Sequence, residues 1–281
     1  RGHVSASNDA PTAAMPCVTD GEPLAWRTGC MAYAVDERGG IDLTAAQIEG
    51  VLDRSFRTWM SVTCDGASPG FDILGYVERA TCQDAQYRGN RGNVNVVAMV
   101  SDWEERDYDP SAYAITTVWH NTDTGTILDV DVLVNEQLGH YAICPDTGCL
   151  PALPRNQVVD LENVITHELG HFFGIAHSDV PNATMYLSAA RGETLKRTLA
   201  EDDIEAMCSI YPPGRLNSCT NHDPRGGLDL NCEDDPEGSS CVALGPVPSS
   251  RSPVGWLLLG AGLAAVIGSR RLGRSRPRQR R

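Results

Sequence analysis

The sequence is short of several features that would have assigned its class at once. No C-x-x-C pair occurs among its ten cysteines, which excludes a thiolate zinc ribbon or a thioredoxin-type site. No D-x-D-x-D-G loop is present, so no EF-hand calcium loop is encoded. No internal repeat appears. Near Arg1 there is no apolar h-region, hence no visible secretory signal. Basic charge is scarce: 23 Lys+Arg face 37 Asp+Glu, a net charge of −14. A phosphate-tracking surface needs the opposite balance, which excludes nucleic acid as a partner. Acid is absent altogether from residues 251–281, which carry eight arginines. Residues 1–250 therefore hold 15 basic against 37 acidic residues, or −22. Two physically different segments share one chain.

The cysteines are even in number and scattered through loop-like positions, which fits disulfides in an oxidising compartment. Cys144 and Cys149 bracket a short turn and can close a small loop; Cys64 with Cys82, and Cys17 with Cys30, are neighbours able to pair. Spacing leaves the connectivity open. An exported chain beginning at Arg1 is expected to have lost an upstream leader.

Along the chain, residues 1–23 are expected to be a small, polar leader. Strand character starts near Trp26 and recurs over 30–35. Thr44 with Gln47 forms a T-x-x-Q capping box opening a helix over 45–60. Ile48, Val51, Leu52, Phe56 and Trp59 give that helix one apolar face, the mark of a core element. Further strands are expected over 71–77, 94–100, 114–120 and 127–135, the last two joined by a turn-rich link. In 127–135, Leu128, Val130, Val132 and Val134 alternate with Asp129, Asp131 and Leu133. Residues 136–157 are expected to form a proline-containing loop. Asp160 is a good N-cap for a helix running to about Phe173, where Gly174 stops it. A last helix is expected over about 200–210, then an irregular, cysteine-containing stalk over 214–250.

His167-Glu168-Leu169-Gly170-His171 is H-E-x-x-H on the helix after Asp160. Four helical residues turn through about 400°, so the two imidazoles project from one face, a turn apart, and can grip one metal ion. Glu168 is displaced by about 100°, where it can border the ion without binding it and take a proton from water. Gly174 lets the chain turn sharply and return His177 as a third nitrogen donor. Met185 follows His177 by eight residues.

The string H-E-x-x-H-x-x-G-x-x-H followed by Met185 resembles the metzincin zinc endopeptidases, most nearly the matrixin branch. Ser178 after the third histidine, and Leu199, Asp202, Asp203, Ile204 and Tyr211 as L-x-x-D-D-I…Y, carry the likeness further. Gly125-x-Ile127-x-x-Val130-Asp131 is similar to the strand bordering the family's substrate cleft. The resemblance implies an α+β fold: a twisted mixed sheet with an active-site helix and a smaller C-terminal subdomain, spanning 24–213. It implies catalytic Zn2+ on His167, His171 and His177, Glu168 as general base, and a Met-turn at Met185. The partner is then a protein or peptide substrate, added to an exposed strand edge expected at 127–135 beside Val118, Trp119 and His120. The sequence departs from the branch at Leu187, where proline is frequent, and Cys17 lacks the latency motif. His120 and His140 are expected as surface residues; the alternative is a structural metal held by them with Asp123, Asp129 or Asp131, or Ca2+ at the acidic loops. A non-catalytic surface or adhesion protein retaining the metzincin scaffold is the alternative function.

At the C-terminus, Gly238-Ser239-Ser240-Cys241, an uncharged run over 254–268 and an arginine cluster resemble the myxobacterial type of C-terminal sorting signal. The resemblance implies a membrane-embedded sorting protease acting near Cys241. It further implies a chain exported to the cell surface, outer membrane or medium, held transiently in the inner membrane by the helix 254–268.

Overall fold

The computed structural model describes residues 22–89, 91–149 and 158–231. Cys17, Cys241, the apolar run 254–268 and the arginine tail lie outside them. The chain forms a five-stranded sheet with three helices and a second, two-stranded ribbon. The elements are β1 (Cys30–Val35), α1 (Ala45–Met60), β2 (Asp72–Gly75), β3 (Val96–Val100), β4 (Ala114–His120), β5 (Ile127–Asn135), β6 (His140–Ala142), β7 (Val158–Asp160), α2 (Leu161–Phe172) and α3 (Glu201–Ile210). The main sheet runs β2-β1-β3-β5-β4, with β4 alone antiparallel to its neighbour. This is the mixed sheet with helices that the fold class required.

Local chemistry explains most boundaries. Thr44 accepts the Gln47 amide N–H while Gln47 accepts the Thr44 N–H, closing the capping box of α1. Ile48, Val51, Leu52, Phe56 and Trp59 are buried, and that face packs on α2 and the sheet. The Trp59 indole donates to the Thr166 carbonyl at 2.8 Å, fixing how α1 meets α2.

Two expectations need correction. The strand 127–135 is interior, with β3 on one side and β4 on the other, so both its hydrogen-bonding edges are spent. The sheet's edges are β2 and, beside β5, β4. The loop expected over 136–157 contains β6, which pairs with β7 in parallel through His140↔Val158. Three-residue strands are too short to show alternation, and their pairing partner is distant in sequence. The polar positions of β5 also meet no solvent. Asp129 and Asp131 are buried; Leu133, further along the same strand, packs with Ala98, Val100 and Trp103.

Residues 214–231 lack regular structure and lie against the sheet, with bridges at Thr28↔Asn217 and Asn93↔Leu228. Cys30 pairs with Cys219 and Cys64 with Cys208; Cys144 pairs with Cys149 as the short loop suggested. Cys82 is also disulfide-bonded. The neighbour pairings Cys64–Cys82 and Cys17–Cys30 are thus replaced by links spanning 144 and 189 residues.

Among the described residues no helix is long and apolar enough to cross a membrane. That finding overturns the expected inner-membrane anchor. The run 254–268 agrees with it on length alone: 15 residues make a helix of about 22 Å, against about 30 Å of hydrocarbon.

Candidate active site

The active-site helix α2 is buried along almost its whole length, so its polar residues face protein groups. Asp160 caps it by accepting the Asn163 N–H at 2.8 Å. The same carboxylate takes the Cys144 N–H and both Nε and a terminal nitrogen of Arg197. Arg197 also donates to the Cys144 carbonyl, so one guanidinium ties the helix start to the Cys144–Cys149 loop. The sequence held no signal for Arg197, because its partners come from two distant segments. At the other end, the Phe172 carbonyl accepts the Trp26 indole and the Phe173 carbonyl accepts the Tyr211 hydroxyl, each at 2.8 Å. Those bonds satisfy the orphan carbonyls of the last turn. Gly174 then takes φ +84°, and a Cβ there would strike the Leu24 backbone.

That turn brings His177 back against the helix. Its Nε2 stands 3.3 Å from Nε2 of His167 and 3.2 Å from Nε2 of His171. Tetrahedral zinc with bonds of about 2.0–2.1 Å separates neighbouring nitrogens by about 3.3–3.4 Å, so the donor set fits that ion. The two helix imidazoles are oriented from behind. Nδ1 of His171 lies 2.8 Å from the Ile175 carbonyl, and Nδ1 of His167 lies 2.6 Å from the Thr184 carbonyl. Each contact suits an Nδ1–H donor and leaves Nε2 with its lone pair pointing at the gap. Burial holds all three imidazoles neutral: His171 is pushed down to about 4, with the Lys196 charge adding to burial and the Ile175 carbonyl opposing, and His177 to about 3, with His171 and Lys196 adding to burial. His167 falls well below its ordinary value for the same reasons. Neutral imidazoles are the form that ligates.

Glu168 sits on the adjacent helix face and is buried. Burial raises its carboxyl to about 7, opposed by the Thr116 hydroxyl and the positive charge of Lys196. Thr116 belongs to the edge strand β4, so the carboxylate lies between the metal-ligand candidates and an edge able to accept a partner strand.

Met185 lies under the site, 1% exposed. The turn carrying it is closed by Tyr186 N–H to Ala183 carbonyl and pinned to the third histidine's neighbour by Ser178 N–H to Met185 carbonyl. Asp203 of α3 accepts the N–H groups of both Thr184 and Met185. Gly170 completes the fit: a Cβ there would lie 2.8 Å from Cε of Met185 and 2.9 Å from Trp59. Lys196 is a residue the sequence reading missed. Its buried ammonium donates to the carbonyls of Thr184 and Tyr186. The Thr184 oxygen therefore serves His167 and Lys196 together.

His120, His140, Asp123, Asp129 and Asp131 do not converge. His140 pairs with Asp42 at 3.2 Å, and the described groups with metal-ligand spacing are His167/His171/His177 and Cys30/Cys219/His222.

A mixed sheet, a buried helix bearing two histidines and a returning third define a metallopeptidase scaffold. The matrixin profile matches residues 25–212, and the chain belongs to the matrixin family, whose members imply a catalytic zinc. It is 27% identical over 224 residues to Metalloendoproteinase 1-MMP of Arabidopsis thaliana, covering 78% of this chain and 54% of that one. Shorter stretches match Metalloendoproteinase 5-MMP of the same plant (46% over 59 residues, 21% of this chain and 16% of the relative). Human matrilysin matches at 44% over 46 residues, 16% of this chain and 17% of that protein. The chain thus spans about half the length of the first relative and less of the others.

Proposed function

We propose that this chain is a zinc-dependent endopeptidase in which His167, His171 and His177 hold the ion and Glu168 is the general base. The convergence of three neutral Nε2 atoms at 3.2–3.3 Å beside a buried carboxylate carries the reading. Zn2+, when bound, supplies a Lewis acid for the scissile carbonyl and acidifies the attacking water. Glu168 takes the proton from that water and returns it to the leaving amine nitrogen. With a carboxyl near 7, it can serve in both protonation states at neutral pH. Thr116 holds Oε2 in place during both transfers. The extended substrate adds antiparallel or parallel to β4, whose outer edge has no strand partner among the described residues.

The deciding experiment compares wild type with Glu168→Ala for zinc content and for cleavage of a broad peptide library. Retained zinc with cleavage lost only in the variant is the expected result. Zinc bound but no cleavage by either protein would support the non-catalytic scaffold instead, which no observed contact favours. Processing near Cys241 by a sorting protease is a separate proposal, resting on the sequence 238–241 alone; intact mass of the mature chain tests it.

A further inference from the structure

The second convergence of metal-ligand side chains lies away from the catalytic histidines, where residues 217–222 lie against the start of β1. Cys30 is the first residue of β1, and its in-register partner on β2 is Asp72. Cys219 and His222 come from the irregular segment, spaced as C-x-x-H. The ligand atoms of Cys30, Cys219 and His222 all lie within 4.8 Å of one another. Nε2 of His222 is 3.4 Å from Cys219 Sγ and 3.4 Å from Oδ2 of Asp72. Around a tetrahedral zinc, with bonds of about 2.3 Å to sulfur and about 2.0–2.1 Å to nitrogen, the sulfur–nitrogen edge is about 3.6 Å; the Asp72 carboxylate meets the imidazole from outside the group of three. The Thr220 N–H points at Cys30 Sγ from 3.0 Å, the type of contact that supports a thiolate ligand. In the structure the two sulfurs are joined as a disulfide. A cavity of ≈350 Å³, lined by Cys30, His222, Met31, Trp26 and Ile127 among others, lies directly beside it and leaves room for a reagent.

We propose that Cys30, Cys219 and His222 form a redox-gated metal site with Asp72 beside the imidazole: a disulfide clip when oxidised, a site for Zn2+ or a similar borderline divalent cation when reduced. Opening is a two-electron exchange. A dithiol cleaves the S–S bond, leaving two protein thiols while it becomes a disulfide itself. Metal binding then releases the two thiol protons to solvent as both sulfurs become thiolate ligands, joined by the His222 imidazole and a water. Either state keeps 217–222 on the sheet, so the segment stays docked across a change of compartment. This inference does not depend on the peptidase reading.

Cobalt(II) tests it, because a thiolate ligand gives near-ultraviolet charge-transfer absorption that an all-histidine site cannot give. The full chain is titrated with Co2+ oxidised, and again after anaerobic reduction by a phosphine, which ends as the phosphine oxide with oxygen from water. Reduced wild type is expected to bind one more Co2+ than oxidised protein, with charge-transfer absorption. His222→Ala is expected to weaken that binding at least about tenfold, and Cys30→Ser to remove it. His222 is only partly buried, so its variant keeps the question answerable if Cys30→Ser fails to fold. Equal charge-transfer absorption in reduced wild type and His222→Ala, or no additional Co2+ on reduction, would overturn the proposal. The visible absorption of cobalt on the three-histidine site, removed by His167→Ala, reports that site separately.

Discussion

The hydroxyl of Thr116 donates to Oε2 of Glu168 at 2.5 Å, joining the edge strand β4 to the carboxylate beside the three histidines. A hydroxyl so placed stabilises the ionised form and limits the rise that burial imposes on Glu168. It also sets the direction of the acceptor oxygen. Thr116→Val is expected to lower kcat/KM roughly tenfold, a fraction of what general-base catalysis contributes, while zinc content stays at wild-type level. Unchanged kinetics with a shape-matched valine would refute the role.

Gly170 occupies a helix interior where alanine would ordinarily be preferred. Here a methyl group would overlap Met185 and crowd Trp59. Gly170→Ala should therefore destabilise by about 1–3 kcal/mol or more through overpacking, against the intrinsic helix preference. Urea denaturation of the two proteins measures the sign, and a more stable variant would contradict it.

Lys196 donates to the carbonyls of Thr184 and Tyr186, and the first of these also faces Nδ1 of His167. Burial lowers its pKa, yet nearby Glu193, Asp203 and Glu168 favour the charged form. Lys196→Met keeps the length and leaves the Tyr186 carbonyl short of a donor, at about 1–3 kcal/mol, while the Thr184 carbonyl keeps only Nδ1 of His167. We expect a lower melting temperature together with a metal affinity reduced about tenfold, as for other groups behind a ligand. Equilibrium zinc competition reads the second effect, and an unaltered affinity would reduce Lys196 to a packing role.

Asp129 and Asp131 share a buried face of β5, and neither oxygen of Asp129 has a hydrogen-bond partner in the structure. Burial raises Asp131 to about 8 despite N–H donors from Val96 and Gln86. Asp129 is raised well above its ordinary value by burial and by the Asp131 charge, with Arg88 opposing. Unfolded aspartates titrate near about 3.9, so the folded chain binds more protons across the intervening range. The pair's contribution to stability is complete below that value and lost as pH rises through about 8. Thermal melts should fall between about pH 5 and pH 8 in wild type and fall less in Asp129→Asn. Parallel slopes would remove the pair from the account.

How much was legible depended on whether the signal was local. The Thr44–Gln47 box, the apolar face of α1 and the Asp160 cap are decided within four or so residues, and all stand where the pattern put them. The strands 30–35, 114–120 and 127–135 match β1, β4 and β5 end to end. Alternation, however, says nothing about which strand lies at the edge. The Gly125-to-Asp131 pattern drew the substrate edge onto β5, whereas β3 and β4 consume both its sides.

By itself the sequence determined the donors: three histidines whose spacing follows from the helical repeat and one glycine turn, a glutamate on the adjoining face, and a methionine eight residues on. Those relations are short-range and depend on backbone geometry. Only the tertiary structure decided what stands behind them. Thr116, Lys196, Asp203 and Arg197 reach the site from β4, the Met-turn's far side, α3 and the segment before it. The same holds for the disulfides, where Cys30 found Cys219 and Cys64 found Cys208 across most of the chain. Such partners are selected by packing and by the need to satisfy buried polar groups, conditions that exist only once distant segments share one core.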